Sequence, residues 1–433
     1  MKTKYAQIDK KLFIKNRGKF VQRMEPDSIA IFNSNDLYPV SADTTLPFAQ
    51  HRDIFYLSGI DQEESVLILC PYADREEHRE MLFLRETNEH IAVWEGEKYT
   101  KEQAAQVSGI ENVYWLQDFD KILSQLMNEM KNVYVNLNEH YRAERIVETR
   151  EERFIKALKK KYPAHNYLRS NPILQHLRSI KEPEEIALMQ TACDITEKGF
   201  RRALSFVKPD VWEYEIEAEF MHEFLRNRSK GWAYTPIIAS GQNSNVLHYI
   251  LNNKQCKSGE VILLDVAAEY ANYSSDMSRT IPVSGKFTDR QKQVYQAVMN
   301  VKNETTKLLF TGNNWYAYHQ EVGKIMTEEL ISLGLLTKDD VKHENPAWPA
   351  YKRYFMHGNS HHLGLDTHDY GVLSEPFVPN MVFTVEPGIY IREEGFGIRL
   401  EDNVVIQEGH EPFNLMRNIP IEAEEIEDLM NTK

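Results

Sequence analysis

The chain has 433 residues, of which 42% are hydrophobic and 27% are charged, so it is long enough for two or three globular domains. Its 51 basic and 65 acidic residues give a net charge of −14, which disfavours nucleic acid and anionic membranes as partners because both attract positive surfaces. The three cysteines form no CxxC pair, so neither a cysteine-based zinc site nor a disulfide framework is expected. The cysteines are expected to be buried thiols in a reducing compartment, and residues 1–20 contain no apolar targeting segment. We therefore predict a cytoplasmic protein.

Residues 1–172 alternate helix and strand patterns, which predicts an α/β domain. We expect helices at Asp9–Met24, Phe119–Met130 and Tyr141–Tyr162, and strands at Ser28–Phe32, Ile54–Leu57, Val66–Cys70, Met81–Leu84 and Val133–Leu137. The loops between them carry no obvious catalytic cluster. A break at Asn166–Asn171, followed by Pro172, marks the predicted start of a second domain over 173–433.

The second domain groups its helices apart from its strands, which predicts an α+β arrangement. The first helix begins at Pro183, where proline and the neighbouring acids are typical of a first helical turn. The expected helices are about Pro183–Phe206, Val211–Arg228, Asp289–Phe310 and Trp315–Leu333, and the expected strands are Thr235–Ala239, Val261–Val266, Met381–Val385, Gly397–Leu400 and Asn403–Ile406.

Acidic residues end several of these apolar strands. Asp265 closes the run Val261–Leu264, and Asp276 follows after an interval that fits a turn and a returning strand, which would bring the two carboxylates together. Glu386 ends another strand before a Pro-Gly turn, and Arg399 and Glu401 are two residues apart, so they should share one strand face. Taken singly, each acid has a structural explanation as a turn residue or a surface ion pair.

Histidines cluster between these strands, at positions 357, 361, 362 and 368. Histidine together with carboxylates suits manganese, zinc, cobalt or iron, and either His361 or His362 could be the ligand. Four strand-associated carboxylates and one histidine can supply a two-metal site, in which bridging carboxylates hold two cations about 3.5–4 Å apart with a hydroxide between them. Phosphate-binding, dinucleotide-binding, serine-hydrolase and H-E-x-x-H motifs are missing from the sequence.

The order of these residues and their neighbours resembles the "pita-bread" metallopeptidases, and within them the aminopeptidase P (Xaa-Pro aminopeptidase) family. The segments that carry the resemblance are Ser240–Tyr249, Leu264–Thr280, His357–Asp369, Thr384–Tyr390 and Gly397–Asp402. The resemblance extends to the first domain through Ala42-Asp43, Gln50–Gly59 and Ala92–Gly96, so it covers nearly the whole chain. It implies a pita-bread catalytic domain, of helices packed on a curved antiparallel sheet, after an α/β N-terminal domain.

The resemblance also implies a site with two divalent cations, most often manganese, with zinc, cobalt or iron as alternatives. The implied ligands are Asp265, Asp276, His361, Glu386 and Glu401. Asp276 and Glu401 would bridge the two ions and Asp265 would bind one of them. His361 and Glu386 would bind the other, and Glu386 would also act as general base.

Further residues are implied around the metals. His248 and His368 would contact substrate carbonyls and stabilise the tetrahedral intermediate, and His357 would line the proline side of the cleft. Arg399 would support a ligand or contact the substrate carboxylate. Three substrate-binding positions are implied as well, at Asp43, Trp94 and Tyr390, of which the first two reach a neighbouring subunit in family members. A homodimer or homotetramer is therefore expected.

The implied activity is release of the N-terminal residue from Xaa-Pro peptides, by attack of a metal-bridging hydroxide on the scissile carbonyl. An Xaa-Pro bond has no N–H, so a site that recognises the ring and the free amine avoids the missing hydrogen-bond donor. Two alternatives stay open: a prolidase, which cleaves only Xaa-Pro dipeptides, and a non-catalytic peptide-binding protein on the same fold. Methionine aminopeptidase is disfavoured because those chains are usually shorter and lack this N-terminal domain.

Overall fold

A computed structural model describes residues 3–144 and 146–432, and the chain divides into two units, Met1–Leu177 and Arg178–Lys433. The predicted domain boundary after residue 172 falls near the start of the helix Asn171–Ser179, and the division between the two units, after Leu177, falls within that helix. Within the described residues, no helix combines the length and the apolar character needed to cross a membrane.

The N-terminal unit is built on a mixed six-stranded sheet in the order β6-β5-β4-β1-β7-β8. Strand β1 is buried along its whole length, and it pairs antiparallel with β4 and parallel with β7. The strands are β1 (Ser28–Asn33), β2 (Pro39–Ser41), β3 (Thr44–Thr45), β4 (Ser65–Leu69), β5 (Glu80–Leu84), β6 (Asn112–Trp115), β7 (Asn132–Val135) and β8 (Asn166–Arg169). The helices are α1 (Lys11–Val21), α2 (Arg52–Ser58), α3 (Glu89–Glu95), α4 (Lys101–Ser108), α5 (Phe119–Glu129), α6 (Arg150–Lys161) and α7 (Asn171–Ser179).

Three sequence predictions in this unit differ from the structure. Residues 54–57 were expected to form a strand but belong to helix α2, which His51 caps through its ring nitrogen and Gly59 ends with a left-handed φ of 69°. A short run of buried apolar residues has no period that separates a strand from a helix. Helix α6 begins only at Arg150 because Thr149 and Glu152 form a capping box there. Part of the predicted break, at Asn166–Arg169, is strand β8.

The C-terminal unit keeps its helices apart from its strands, as the sequence predicts. The helices are α8 (Pro183–Phe206), α9 (Glu213–Arg226), α10 (Asp289–Thr306), α11 (Trp315–Ser332), α12 (Lys338–Lys342) and α13 (Ala423–Asn431). The strands are β9 (Ile237–Ser240), β10 (Val261–Asp265), β11 (Glu269–Tyr270), β12 (Tyr273–Ser274), β13 (Ser278–Pro282), β14 (Val382–Val385), β15 (Gly388–Ile391), β16 (Phe396–Arg399), β17 (Asp402–Val405) and β18 (Phe413–Asn414). Their described pairings are antiparallel, in two three-stranded sheets and two hairpins.

Strand register explains how residues far apart in sequence gather in this unit. Strand β10 pairs with β13 so that Asp265 lies opposite Ser278, and strand β14 pairs with β17 so that Val385 lies opposite Asp402. Asp276 precedes β13, Glu386 follows β14 and Glu401 precedes β17, so these acids all lie at strand ends. At a strand end, the hydrogen bonds of the sheet fix the neighbouring backbone, while the polar group of the side chain lies beyond the paired residues.

Candidate metal centre

Three of the proposed ligands form a tight buried group. Potential ligand atoms of Asp276, His361 and Glu401 all lie within 4.8 Å of one another. The His361 Nε2 atom is 3.4 Å from Asp276 Oδ2 and 3.6 Å from Glu386 Oε1, so Glu386 adjoins the same group. One imidazole and three carboxylates therefore converge at the strand ends.

Backbone hydrogen bonds fix two of these residues. The side chain of Asn403 accepts from the Asp276 N–H at 3.0 Å and donates to the Asp276 carbonyl at 2.6 Å. The segment around His361 runs beside β14, where Thr384 N donates to His361 O at 3.0 Å. The His361 Nδ1 atom lies 2.9 Å from the carbonyl oxygen of His362, which can only accept. The proton therefore sits on Nδ1, and Nε2 is left to face the carboxylates.

Asp265 is held by a second set of contacts. Arg399 Nη2 donates to Asp265 Oδ2 at 2.5 Å, and the hydroxyl of Tyr234 donates to Oδ1 at 2.6 Å. Arg399 Nε donates to Ser278 Oγ at 2.8 Å, and this hydroxyl donates to Glu401 Oε2 at 2.9 Å. Arg399 and Glu401 thus meet at one serine, although they do not share a strand face, because β16 ends at Arg399 and β17 begins at Asp402.

The carboxylates raise one another's pKa values. Burial, followed by the charges of Asp276, Glu386 and Asp265, raises the pKa of Glu401 well above its usual value. Burial also raises the pKa of Glu386 to about 7, against the opposing charge of His361, and it raises the pKa of Asp265 despite Arg399. When all four acids are ionised, their negative charge exceeds the positive charge of Arg399 and a protonated His361, and bound cations would balance the difference. This oxygen-rich donor set, with one imidazole, fits divalent cations of the manganese or zinc type.

His357 belongs to a hydrogen-bonded chain with Tyr390 and Arg399. Its Nδ1 lies 2.7 Å from the Gly358 carbonyl, and its Nε2 lies 2.8 Å from the Tyr390 hydroxyl, which accepts from Arg399 Nη1 at 2.8 Å. Burial, with the charge of Arg399 nearby, lowers the pKa of His357 to about 3, so the ring is neutral. Glu386 Oε2 is 3.7 Å from His357 Nδ1, which links this chain to the acidic group.

The remaining predicted histidines take different positions. The ring of His368 lies 4.4 Å from that of His361, centre to centre, and is exposed at the edge of the group. His248 is also exposed, and its charge contributes to lowering the pKa of His357. His362 packs against Phe383 and Trp315, at 4.5 and 5.7 Å between ring centres, and does not join the acidic group. Of the two adjacent histidines, we therefore keep His361 as the proposed ligand.

Asp43 and Trp94 lie in the N-terminal unit. Asp43 is exposed in the turn between β2 and β3, and Trp94 lies on α3 with 77% of its surface exposed. Their proposed contribution to substrate binding stays a prediction.

Three residues that hold the proposed ligands were not predicted from the sequence: Tyr234, Ser278 and Asn403. Ser278 is two residues after Asp276 and Asn403 is two residues after Glu401, so the alternation of side chains along a strand could have indicated both. Tyr234 lies two residues before Pro236 in an irregular segment, where no periodic signal exists.

A buried ionic group supports the backbone of Glu401. Asp402 Oδ1 accepts from Arg279 Nη2 at 2.7 Å and Oδ2 lies 2.5 Å from Lys302 Nζ, while Arg279 Nη1 donates to the Glu401 carbonyl at 2.6 Å. Burial alone would raise the pKa of Asp402, yet Lys302 and Arg279 hold it well below its usual value. Two buried cations therefore depend on one carboxylate.

We expect Asp402→Ala to destabilise the protein by about 3–5 kcal/mol, because it leaves Arg279 and Lys302 buried without their counter-charge. Thermal unfolding of the full chain measures this, and the midpoint should fall by roughly 10 °C. The matched control is Glu304→Ala, which breaks an exposed pair with Lys307 and should change the midpoint little. Equal midpoints for the two variants would contradict the role given to Asp402.

Comparisons with known proteins identify the family to which this chain belongs. The model of metallopeptidase family M24 matches residues 187–408, and the model of the aminopeptidase P N-terminal domain matches residues 13–134. The Xaa-Pro aminopeptidase of Escherichia coli strain K12 is 34% identical over 98% of both chains. The match to the N-terminal domain model fits the α/β unit that precedes the acidic group.

Solved structures show the same fold over the whole chain. Aminopeptidase P from E. coli, in its low-pH form, superposes with a TM-score of 0.88 at 31% identity and covers 98% of this chain and 99% of that one. A zinc-substituted form of the E. coli enzyme in complex with product has a TM-score of 0.86 at 32% identity, with the same coverage. These likenesses confirm the pita-bread fold and the prediction of a hydrolase that uses divalent metal ions. The chain is a member of metallopeptidase family M24, with an aminopeptidase P N-terminal domain.

Proposed function

We propose that this protein is an Xaa-Pro aminopeptidase, which releases the N-terminal residue from peptides with proline in the second position. The observation that carries the proposal is the buried group of Asp276, His361 and Glu401 with Glu386 beside it, in a chain whose full-length relatives have this activity by name. Those names favour an aminopeptidase over a prolidase. The intact ligand set disfavours a purely peptide-binding protein.

Two divalent cations per subunit are proposed, manganese first, with zinc, cobalt or iron as alternatives. Five residues would hold them: Asp265, Asp276, His361, Glu386 and Glu401. The oxygen-rich set supports manganese, and the zinc-substituted relative supports tolerance of other metals. When bound, such cations lower the pKa of water and polarise the scissile carbonyl.

The side chains around the cations would divide the remaining work. Glu386, whose two oxygens face His357 and His361, would be ionised beside bound cations and is suited to take and return a proton. His248 and His368, on exposed positions, would donate to substrate carbonyls. Arg399 already donates to Asp265, Tyr390 and Ser278, which favours a role in orienting Asp265 over direct substrate contact.

We also propose a cytoplasmic location and a homodimer or homotetramer. Cys70, Cys193 and Cys256 are free and buried, which suits a reducing compartment. The N-terminal unit exposes apolar side chains at Val40, Leu46 and Trp94, which suits burial against another copy.

The proposed activity is tested by comparing an Xaa-Pro-Xaa tripeptide with the matching Xaa-Pro dipeptide, after chelation and again with added manganese. We expect metal-dependent cleavage of the tripeptide at the Xaa-Pro bond. Cleavage of the dipeptide alone would make the protein a prolidase. If manganese binds and neither peptide is cleaved, the peptide-binding alternative replaces the proposal.

A further inference from the structure

One fully buried carboxylate, that of Glu213, has no part in the group described above. Glu213 is the first residue of α9 and has no exposed surface. Its Oε1 accepts from the Ser240 N–H and hydroxyl, both at 2.7 Å, and more weakly from Asn243 Nδ2 at 3.5 Å. Its Oε2 accepts from the Tyr249 hydroxyl at 2.8 Å and from Lys254 N at 2.9 Å. A buried charge needs several donors of this kind, and here they are supplied.

All of these donors lie at the end of β9 or in the connection that leads from β9 to β10. Ser240 ends β9, and the other donors lie in residues 241–254, which we name the His248 loop. Glu213 therefore holds the start, the middle and the end of this loop with one carboxylate. One turn further along α9, Glu217 accepts from Asn252 Nδ2 at 3.0 Å, which adds a second attachment on the same helix face.

The His248 loop has little packing of its own at its tip. Val246, Ile250 and Leu251 are all more than half exposed, and His248 is exposed among them. Tyr249, in contrast, is buried in a cluster with Tyr390, whose hydroxyl contacts His357 and Arg399. The buried Tyr249 and its hydrogen bond to Glu213 thus fix the residue next to His248.

We propose that Glu213 is a positioning residue for His248 in the peptidase reaction, an inference that rests on the proposed function. An exposed catalytic side chain contributes fully only when its backbone is already held in place, because ordering it during the reaction would cost free energy. Glu213 supplies that order through its hydrogen bonds to Ser240, Tyr249 and Lys254.

Glu213→Gln is the informative substitution because it keeps the size and changes the hydrogen bonding. Two of the donors, Ser240 N and Lys254 N, belong to the backbone and face opposite carboxylate oxygens. A glutamine amide group would turn its own NH₂ towards one of them, so one attachment of the loop is lost. Tyr249→Phe removes one donor without placing an NH₂ group against a backbone N–H, so it should have a smaller effect in the same direction.

The test is a double-mutant cycle on cleavage of an Xaa-Pro-Xaa tripeptide, with wild type, Glu213→Gln, His248→Ala and the double variant. We expect Glu213→Gln to lower kcat about 10- to 100-fold with little change in KM or manganese affinity. In the His248→Ala background the same substitution should cost less than about threefold, because the residue that it positions is already gone.

The control is Glu151→Gln, which changes a buried carboxylate of the N-terminal unit that accepts from Asn33 N at 2.8 Å and Asn33 Nδ2 at 2.9 Å. Its kinetics should match wild type. Equal losses in the two His248 backgrounds, or unchanged kinetics in Glu213→Gln, would overturn the inference. If Glu213→Gln does not fold, Tyr249→Phe takes its place in the cycle with the same two outcomes. A wild type that binds manganese and cleaves nothing is a different result, which would overturn the proposed function and this inference with it.

Discussion

Asp276→Ala is expected to remove metal binding and peptide hydrolysis together. Asp276 is buried, its Oδ2 lies 3.4 Å from His361 Nε2, and it shares the tight group with Glu401, which is the position that a bridging ligand needs. We expect hydrolysis to fall by at least about 1000-fold, more than the 10- to 100-fold loss typical of an outer hydrogen-bonding partner of a metal ligand. Metal content after dialysis against manganese and tripeptide cleavage measure the two effects.

The loss in Asp276→Ala should not come from unfolding. Removing one acid relieves repulsion with Glu401 and Asp265, whose pKa values Asp276 raises. In the absence of manganese, the thermal midpoint should therefore stay near that of wild type, unlike that of Asp402→Ala. The matched control is Asp339→Ala, an exposed acid on α12, which should retain both metal and activity. An active, metal-loaded Asp276→Ala protein would exclude the bridging role.

The sequence points to this group of acids because they lie at the ends of strands that periodicity identifies. Asp265 closes the apolar run of β10, and the interval to Asp276 fits the returning strand β13, which the structure pairs with β10. Register, however, is decided by pairing across the sheet and cannot be inferred from one strand alone. Alternation relates Ser278 to Asp276, but the contacts by which Ser278 joins Arg399 to Glu401 depend on register and were not anticipated.

Choosing between His361 and His362 also needed the structure. Both residues lie beside the same strand of the sheet, and the pairing of Thr384 N with His361 O and of Leu363 N with Val382 O shows how the segment is placed. A Cβ atom on Gly371 would lie 1.9 Å from the His362 ring, so the glycine leaves room for His362 on the aromatic side. Neither composition nor spacing distinguishes two adjacent histidines of opposite orientation.

The failed prediction at Ile54–Leu57 has a different cause. All four residues are buried in α2, so their sequence shows no polar face from which a helical period could be recognised. The signals that decide the element are His51 before it and Gly59 after it, and histidine is not among the residues that usually indicate a helix start. Short buried helices are therefore the elements that single-sequence patterns identify least well.

Glu386→Gln is expected to keep the fold and lower kcat by about 100- to 10,000-fold, the contribution typical of a general acid–base residue. Without bound cations, burial raises the pKa of Glu386 to about 7 against the charge of His361. Bound cations lower that pKa, so the carboxylate is ionised in the loaded enzyme and can accept a proton from water, whereas an amide cannot. Since glutamine also removes one anionic donor, the cleavage assay is run across a manganese titration and kcat is compared at saturation. KM for the tripeptide should change little.

The matched control for Glu386→Gln is Glu185→Gln in the same unit. Glu185 is buried and burial raises its pKa to about 7 as well, but its oxygens accept from Tyr273 and from the Glu182 N–H, both at 2.9 Å. If the loss of activity in Glu386→Gln came only from removing a buried carboxyl group with a raised pKa, Glu185→Gln would lose activity as well. We expect a loss only at position 386, because only that carboxylate faces His357 and His361. A Glu386→Gln enzyme with near-wild-type kcat at saturating manganese would assign the proton transfer to another group.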